Sequence, residues 1–287
     1  MGQGITPLFI GGTGRSGTTI LWEYLKNNSK IASADLPEFR LLTAKNGLLD
    51  LYENNDLNTF KTYIGNALSN REDGMYRFIH SLKDTDITDL MNKLSNNFYL
   101  NPKKSIENFY FNSFDKKDVI KNDKKYLIDS TPENIKRSDV LLKIFPNSKF
   151  IHMIRDGRDS GYSEYVVMKD YKFSSDRKTP FEGLDYWHKR IVQSHKSLEK
   201  ISENLYLNIR LENLVDKNIE KEKEKIINFL NINNENKMEN FFLTKIKKEF
   251  MHTGIWKHMS NWKEYDEKYK FILEDLKKQN IFIEKYY

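Results

Sequence analysis

The stretch "PLFIGGTGRSGTTILWEYL", Pro7 to Leu25, holds a short apolar run, a glycine-rich loop and a helical pattern in immediate succession. Leu8–Gly11 is apolar and ends in glycines, as a strand entering a tight turn does. Ile20, Leu21, Tyr24 and Leu25 recur at helical spacing, so a helix follows the loop. Gly12 and Gly17 stand at the two glycine positions of the phosphate-loop pattern G-x-x-x-x-G-K-[ST], and Thr19 at its hydroxyl position. The lysine position is filled by Thr18, and a cation appears inside the loop instead, at Arg15. Backbone N–H groups at the start of such a helix cradle an anion, and the helix dipole adds positive potential. The predicted contacts run through Gly14, Arg15, Ser16, Gly17, Thr18 and Thr19. The missing lysine is the group that reaches the outer phosphates of a magnesium-bound triphosphate. The loop therefore suits a single phosphate.

The same grammar recurs at "NSKFIHMIRDGRDSGYSEYVV", Asn147 to Val167. Phe150–Ile154 reads as a strand, "RDGRD" as a polar turn, and a helix is expected to start near Asp159. Tyr126–Ile128 and Leu205–Ile209 read as two further strands. Strands alternating with helices predict an α/β fold, three-layered and phosphate-loop-like, with a central parallel sheet flanked by helices. Residues from about 45 to 125 are helix-prone, aromatic and loop-broken, and are expected to form a helical insertion within one domain spanning 1–287. Residues 216–240 read as a solvated helix followed by a loop.

Composition narrows the function. Among 287 residues there is no cysteine, which excludes disulfides, thiol catalysis and cysteine-ligated zinc. The longest apolar runs are too short to span a bilayer, so an integral membrane protein is not expected. With no apolar signal region near Met1, the expected location is the cytoplasm. The net charge of +6 is spread among interspersed Lys and Glu, as in "IEKEKEKIINFL". It reads as a solvated surface or as attraction for an anionic ligand. No basic helix, aromatic RNA motif or zinc module points to nucleic acid.

"GGTGRSGTT", Gly11–Thr19, resembles the 5′-phosphosulfate loop of sulfotransferases that use 3′-phosphoadenosine 5′-phosphosulfate (PAPS). The arginine in "RSGTT" is similar to the carbohydrate and tyrosylprotein branches of that family. The resemblance implies that an arginine at a strand end and a serine eight positions on hold the cofactor's 3′-phosphate. Arg155 ends "KFIHMI", and Ser163 stands eight positions later, whereas Ser160 is at the wrong spacing. A guanidinium there can make a bidentate, charge-assisted contact to phosphate. Arg158 and Asp159 are expected to cap the helix. "IRLENLV", Ile209–Val215, resembles a family segment that carries a tyrosine where Leu211 stands here. "HTGIWKHM", His252–Met259, resembles a loop that closes over the 3′-phosphate, which implies roles for Gly254 and Lys257, with Lys247 and Lys248 as competitors.

Sulfuryl transfer needs positioning, stabilisation of negative charge and removal of the acceptor hydroxyl's proton. The resemblance gives the base role to Glu38 of "EFR", with Arg40 orienting it or binding the acceptor, and gives Arg15 the leaving phosphate. His152, inside an apolar strand, is the second base candidate and reads equally as a core histidine. Ser130 in "IDSTPENI" stands where the family carries a lysine, and is expected to donate a hydrogen bond to substrate. No metal site is expected. The acceptor is a hydroxyl compound, whether small molecule, sugar, lipid or peptide. Two other readings stay open: a phosphate-loop nucleotide kinase, with Asp129 of "YLID" as magnesium carboxylate, and a non-catalytic nucleotide-binding module.

Overall fold

The computed structural model describes residues 4–34, 36–69, 87–114, 123–169, 177–215, 218–245, 253–281 and 283. Five strands form one parallel sheet: β1 (Thr6–Gly12), β2 (Ile31–Ser33), β3 (Tyr126–Asp129), β4 (Lys149–Ile154) and β5 (Tyr206–Arg210), in the order β2-β3-β1-β4-β5. The expected α/β fold with a central parallel sheet is the one observed. β5 lies one residue later than its predicted span, and β2 was not anticipated. Three residues, "IAS", carry too little alternation to mark a strand.

Both faces of the sheet are covered, so its strands are apolar throughout rather than alternately polar. The pleat sends alternate residues to opposite layers. Leu8, Ile10, Ile128, Ile151 and Met153 pack against helices α1 (Thr18–Leu25), α9 (Leu211–Leu214), α10 (Ile219–Leu230) and α11 (Asn236–Lys245). Phe9, Leu127 and Phe150 face the other layer. That layer holds α2 (Leu48–Asn54), α3 (Leu57–Ser69), α4 (Ile87–Asn97), α5 (Pro102–Asn112) and α6 (Ser138–Ile144). Phe9 stacks on Phe150 at 5.6 Å between ring centroids, and both are fully buried. Removing such a ring costs about 3–5 kcal/mol. Between residues 45 and 125, the described helices are thus Leu48–Asn54, Leu57–Ser69, Ile87–Asn97 and Pro102–Asn112.

A third cluster joins α7 (Gly157–Met168), α8 (Pro180–Leu198) and α12 (Trp262–Lys278). Helix α7 starts at Gly157, capped by the Asp156 carboxylate, which accepts from the Arg158 N–H at 2.8 Å. The expected start near Asp159 was two residues late, because Gly157 weakens the helical signal yet lets Trp187 and Tyr269 pack close. α8 begins with a capping box between Thr179 and Glu182. A Cβ on Gly183 would run into the Gly161 backbone, so this glycine pair sets how closely α7 and α8 approach. Among the described residues no helix is long and apolar enough to cross a membrane.

The element after β1 is α1, on one side of the sheet. The elements after β3, a 3-10 turn (Pro132–Arg137) and α6, lie on the other side. Adjacent strands whose connections diverge in this way leave a crevice at their carboxyl ends, the usual place for a ligand in an open α/β sheet.

Candidate active site

A cleft of about 1420 Å³ fills that crevice. Eight basic side chains line it against five acidic ones, so its field favours an anion.

The glycine loop forms its floor. Gly14 (φ 82°), Arg15 (φ 53°) and Gly17 (φ 92°) all adopt the left-handed backbone that turns N–H groups inward. A side chain on Gly17 would also collide with Leu211, 2.7 Å from the position of a Cβ. Among the described residues no side chain caps α1, whose first N–H groups point where an anion can bind such a helix start. Gly14, Arg15, Gly17, Thr18 and Thr19 line the cleft. Ser16 is fully buried and its hydroxyl has no partner among the described residues.

Arg155 emerges from the end of β4, only 6% exposed. Its Nη1 donates to the Arg15 carbonyl at 2.9 Å. Arg15 Nε in turn donates to Ser163 Oγ at 3.2 Å. The two motifs, 148 positions apart at Arg15 and Ser163, therefore meet on one wall. Ser163 accepts from Arg15 and keeps its own proton to give. Burial presses the Arg155 pKa down, against the pull of Asp159 and Glu212, and the neighbouring Arg15 cation adds to the depression. Ser160, at the other spacing, is buried and away from the cleft.

A strap from Leu36 to Arg40 crosses the carboxyl end of β3. Phe39 is fully buried, 4.8 Å from the Phe114 ring centroid, while Glu38 and Arg40 face the cleft. The Ser130 N–H and hydroxyl both donate to the Pro37 carbonyl, at 2.8 and 2.9 Å. The Arg40 N–H donates to Thr131 Oγ1 at 3.2 Å, and that hydroxyl donates to Asp129 Oδ1 at 2.7 Å. Burial raises the Asp129 pKa to about 6, with the Thr131 and Phe39 hydrogen bonds holding it from going higher. Glu38 Oε2 accepts from Arg40 Nε at 3.1 Å and Nη2 at 2.9 Å, and no partner of Oε1 is found among the described residues.

Several expected residues are placed differently. Ser130 is fully buried beneath the strap with its hydroxyl committed to Pro37, so it does not face a substrate. Gly254 and Lys257 do not line the cleft. The Gly254 N–H is taken by Asp159 Oδ2 at 2.8 Å, and Lys257 is exposed. The physical reason is Trp256, buried and holding the Arg158 guanidinium at 4.5 Å, with Tyr269 at 4.6 Å from it. That sandwich pins the loop to α7 and α12. Lys247, Lys248 and His252 lie outside the described residues. His152 is a core histidine: its Nδ1 pairs with Asn208 Oδ1 at 3.0 Å, and burial lowers its pKa to about 4. Asp129, the carboxylate a kinase would need for magnesium, is fully buried under Thr131 and off the cleft wall.

The far wall was missed from sequence. It is built by the 3-10 turn and by one face of α8, which carries Glu182, Asp185, Tyr186, Lys189, Arg190 and Gln193. Those positions recur at helical spacing, a polar stripe that sequence inspection could have found. Arg190 Nη2 donates to Tyr186 Oη at 2.7 Å and to Glu133 Oε1 at 2.8 Å. Arg177 lies 4.5 Å over the same tyrosine ring and donates to Glu164 Oε1 at 2.7 Å.

The profile of the sulfotransferase family matches residues 7–236. Over 91 residues the chain is 33% identical to protein-tyrosine sulfotransferase 2 of Gallus gallus. That match covers 32% of this chain and spans only 24% of the length of that curated relative. Among solved structures, the sulfotransferase domain of the curacin biosynthetic pathway superimposes with a TM-score of 0.51 at 19% identity, covering 83% of this chain and 78% of that one. A sulfotransferase of Mycobacterium avium gives 0.52 at 13% identity, with 96% and 76% covered. At these identities the structures speak for the fold alone.

Proposed function

The chain belongs to the sulfotransferase family, and from that premise we propose that it transfers a sulfuryl group from PAPS to a hydroxyl of an acceptor. The observation that carries this reading is the bonded chain Arg155–Arg15–Ser163. It sets a helix-start anion cradle beside a second group of phosphate donors, which suits a ligand with separate 5′- and 3′-phosphates. The residues fit such a donor: the buried Ser16 hydroxyl has no partner among the described residues, and Arg155 is a buried cation beside another cation.

The donor supplies an electrophilic sulfur and a bisphosphate leaving group, so that the new S–O bond to the acceptor forms as the S–O bond to phosphate breaks. Arg15 and the α1 N–H groups hold the 5′-phosphate and take up the charge that develops on it. Arg155 and Ser163 hold the 3′-phosphate. Glu38, fixed through Oε2 by Arg40, presents Oε1 to the acceptor hydroxyl and takes its proton. Thr131 and Ser130 serve this step by holding the strap.

Calorimetry with adenosine 3′,5′-bisphosphate, without metal, is the test. Tight metal-independent binding is expected, followed by label transfer from PAPS to members of a hydroxyl-compound panel. Preference for ATP with magnesium would favour the kinase reading instead.

A further inference from the structure

Lys136 stands on the 3-10 turn and lines the cleft beside Glu133 and Arg190. Its ammonium has no hydrogen bond or ion pair among the described residues. The two carboxylates whose charges act on it are already committed. Glu133 holds Arg190 at 2.8 Å, and Asp50 holds Arg137 at 3.0 Å. Burial is the main force lowering its pKa to about 8, and the Arg190 and Arg137 cations push the same way. A half-buried cation among cations is costly unless an anion arrives.

The donor's phosphates are assigned above to the turns after β1 and β4. Lys136 follows β3 instead, and its turn starts next to Ser130 and Thr131, the residues that carry the Glu38 strap. It therefore belongs to the side of the cleft where the hydroxyl acceptor sits. We propose that Lys136 binds an anionic group, a carboxylate or phosphate monoester, on the acceptor itself, so that the protein sulfates hydroxyl compounds already carrying a negative charge. This rests on the sulfuryl-transfer reading.

The experiment uses matched pairs: 4-hydroxybenzoate with 4-hydroxybenzamide for the carboxylate, and glycerol 3-phosphate with glycerol for the phosphate. Each is assayed for label transfer from PAPS. Each is also titrated calorimetrically into protein saturated with adenosine 3′,5′-bisphosphate, a readout that needs no turnover. The charged member of at least one pair should be preferred, and the pair that shows it identifies the anion. Lys136→Met should weaken that charged member by about 10- to 100-fold, the range for a hydrogen bond to a charged group. The neutral partner should change less than about threefold, Lys136→Arg should restore most of the loss, and bisphosphate affinity should not move. Equal losses for charged and neutral members would overturn the proposal and assign Lys136 to the transferred group. So would the absence of any preference for charge, in rate and in binding, across both pairs. Failure of bisphosphate binding would instead count against the sulfotransferase reading.

Discussion

The two walls of the cleft hold their polar groups in different ways. On the sheet side three anchors reach the main chain, beside the side-chain pairs Arg15–Ser163 and Arg40–Glu38. Arg155 bonds the Arg15 carbonyl, Ser130 bonds the Pro37 carbonyl, and Thr131 receives the Arg40 N–H. On the α8 side, side chains hold side chains: Arg190 bonds Glu133 and Tyr186, and Arg177 lies over the Tyr186 ring. Strand ends and a helix start cannot shift without disturbing the sheet. Long side chains can change rotamer. On the proposed reading, the first wall suits the donor, a ligand of one fixed shape, and the second leaves room to adjust to an acceptor.

The strongest challenge to this division is at Glu38. Glu38→Gln keeps the strap's shape and removes the basicity, and is expected to lower kcat by about 10²–10⁴. Bisphosphate affinity, measured by calorimetry, should stay almost unchanged. Near-full turnover would show that the proton leaves by another route.

Next in size is Arg155→Ala. It should weaken bisphosphate binding by roughly 2–4 kcal/mol, as truncating one partner of a buried charge contact does. A ligand lacking the 3′-phosphate should feel almost none of it. Equal weakening of both ligands would mean that Arg155 acts only by holding the loop through the Arg15 carbonyl.

The sheet beneath the first wall carries two opposed titrations. Asp129, with its pKa raised by burial to about 6, binds more protons folded than unfolded, so its contribution to stability falls as pH rises from about 4 to 6. His152, lowered by burial to about 4, binds fewer protons folded, so its contribution rises over about 4 to 6.5. Each is worth roughly 3 kcal/mol across its window. Urea unfolding of Asp129→Asn should therefore show stability climbing more steeply with pH than in the parent protein. His152→Asn should flatten or reverse that slope. Unchanged slopes in both variants would refute the assignment.

The smallest expected effect is Ser163→Ala, a loss of about 1 kcal/mol in bisphosphate binding. A loss as large as that of Arg155→Ala would show that Ser163 acts mainly by orienting Arg15, the residue that donates to it.

What was legible in the sequence was local. Gly12–Thr19 and Arg155–Ser163 each lie within one strand–turn–helix unit, where spacing translates directly into direction. The "HTGIWKHM" loop shows the limit of that rule. Its glycine does adopt φ 77°, but where the loop sits depends on Asp159 and Arg158, about a hundred residues earlier. Ser130 shows it again, since nothing in "IDSTPENI" reveals that Pro37 will take both its donors.

By itself the sequence determined the parallel α/β architecture and the glycine loop between β1 and α1, for which short-range geometry and hydrophobic patterning suffice, while the expectation for Arg155 and Ser163 came from the family resemblance. Only the tertiary structure decided which carboxylates face the cleft and which are buried, that His152 belongs to the core, and that Lys136 has no ion pair among the described residues. Those outcomes depend on burial and on ion pairs such as Glu133 with Arg190, 57 positions apart. Which partner a charge finds is settled when the packed layers bring distant residues together.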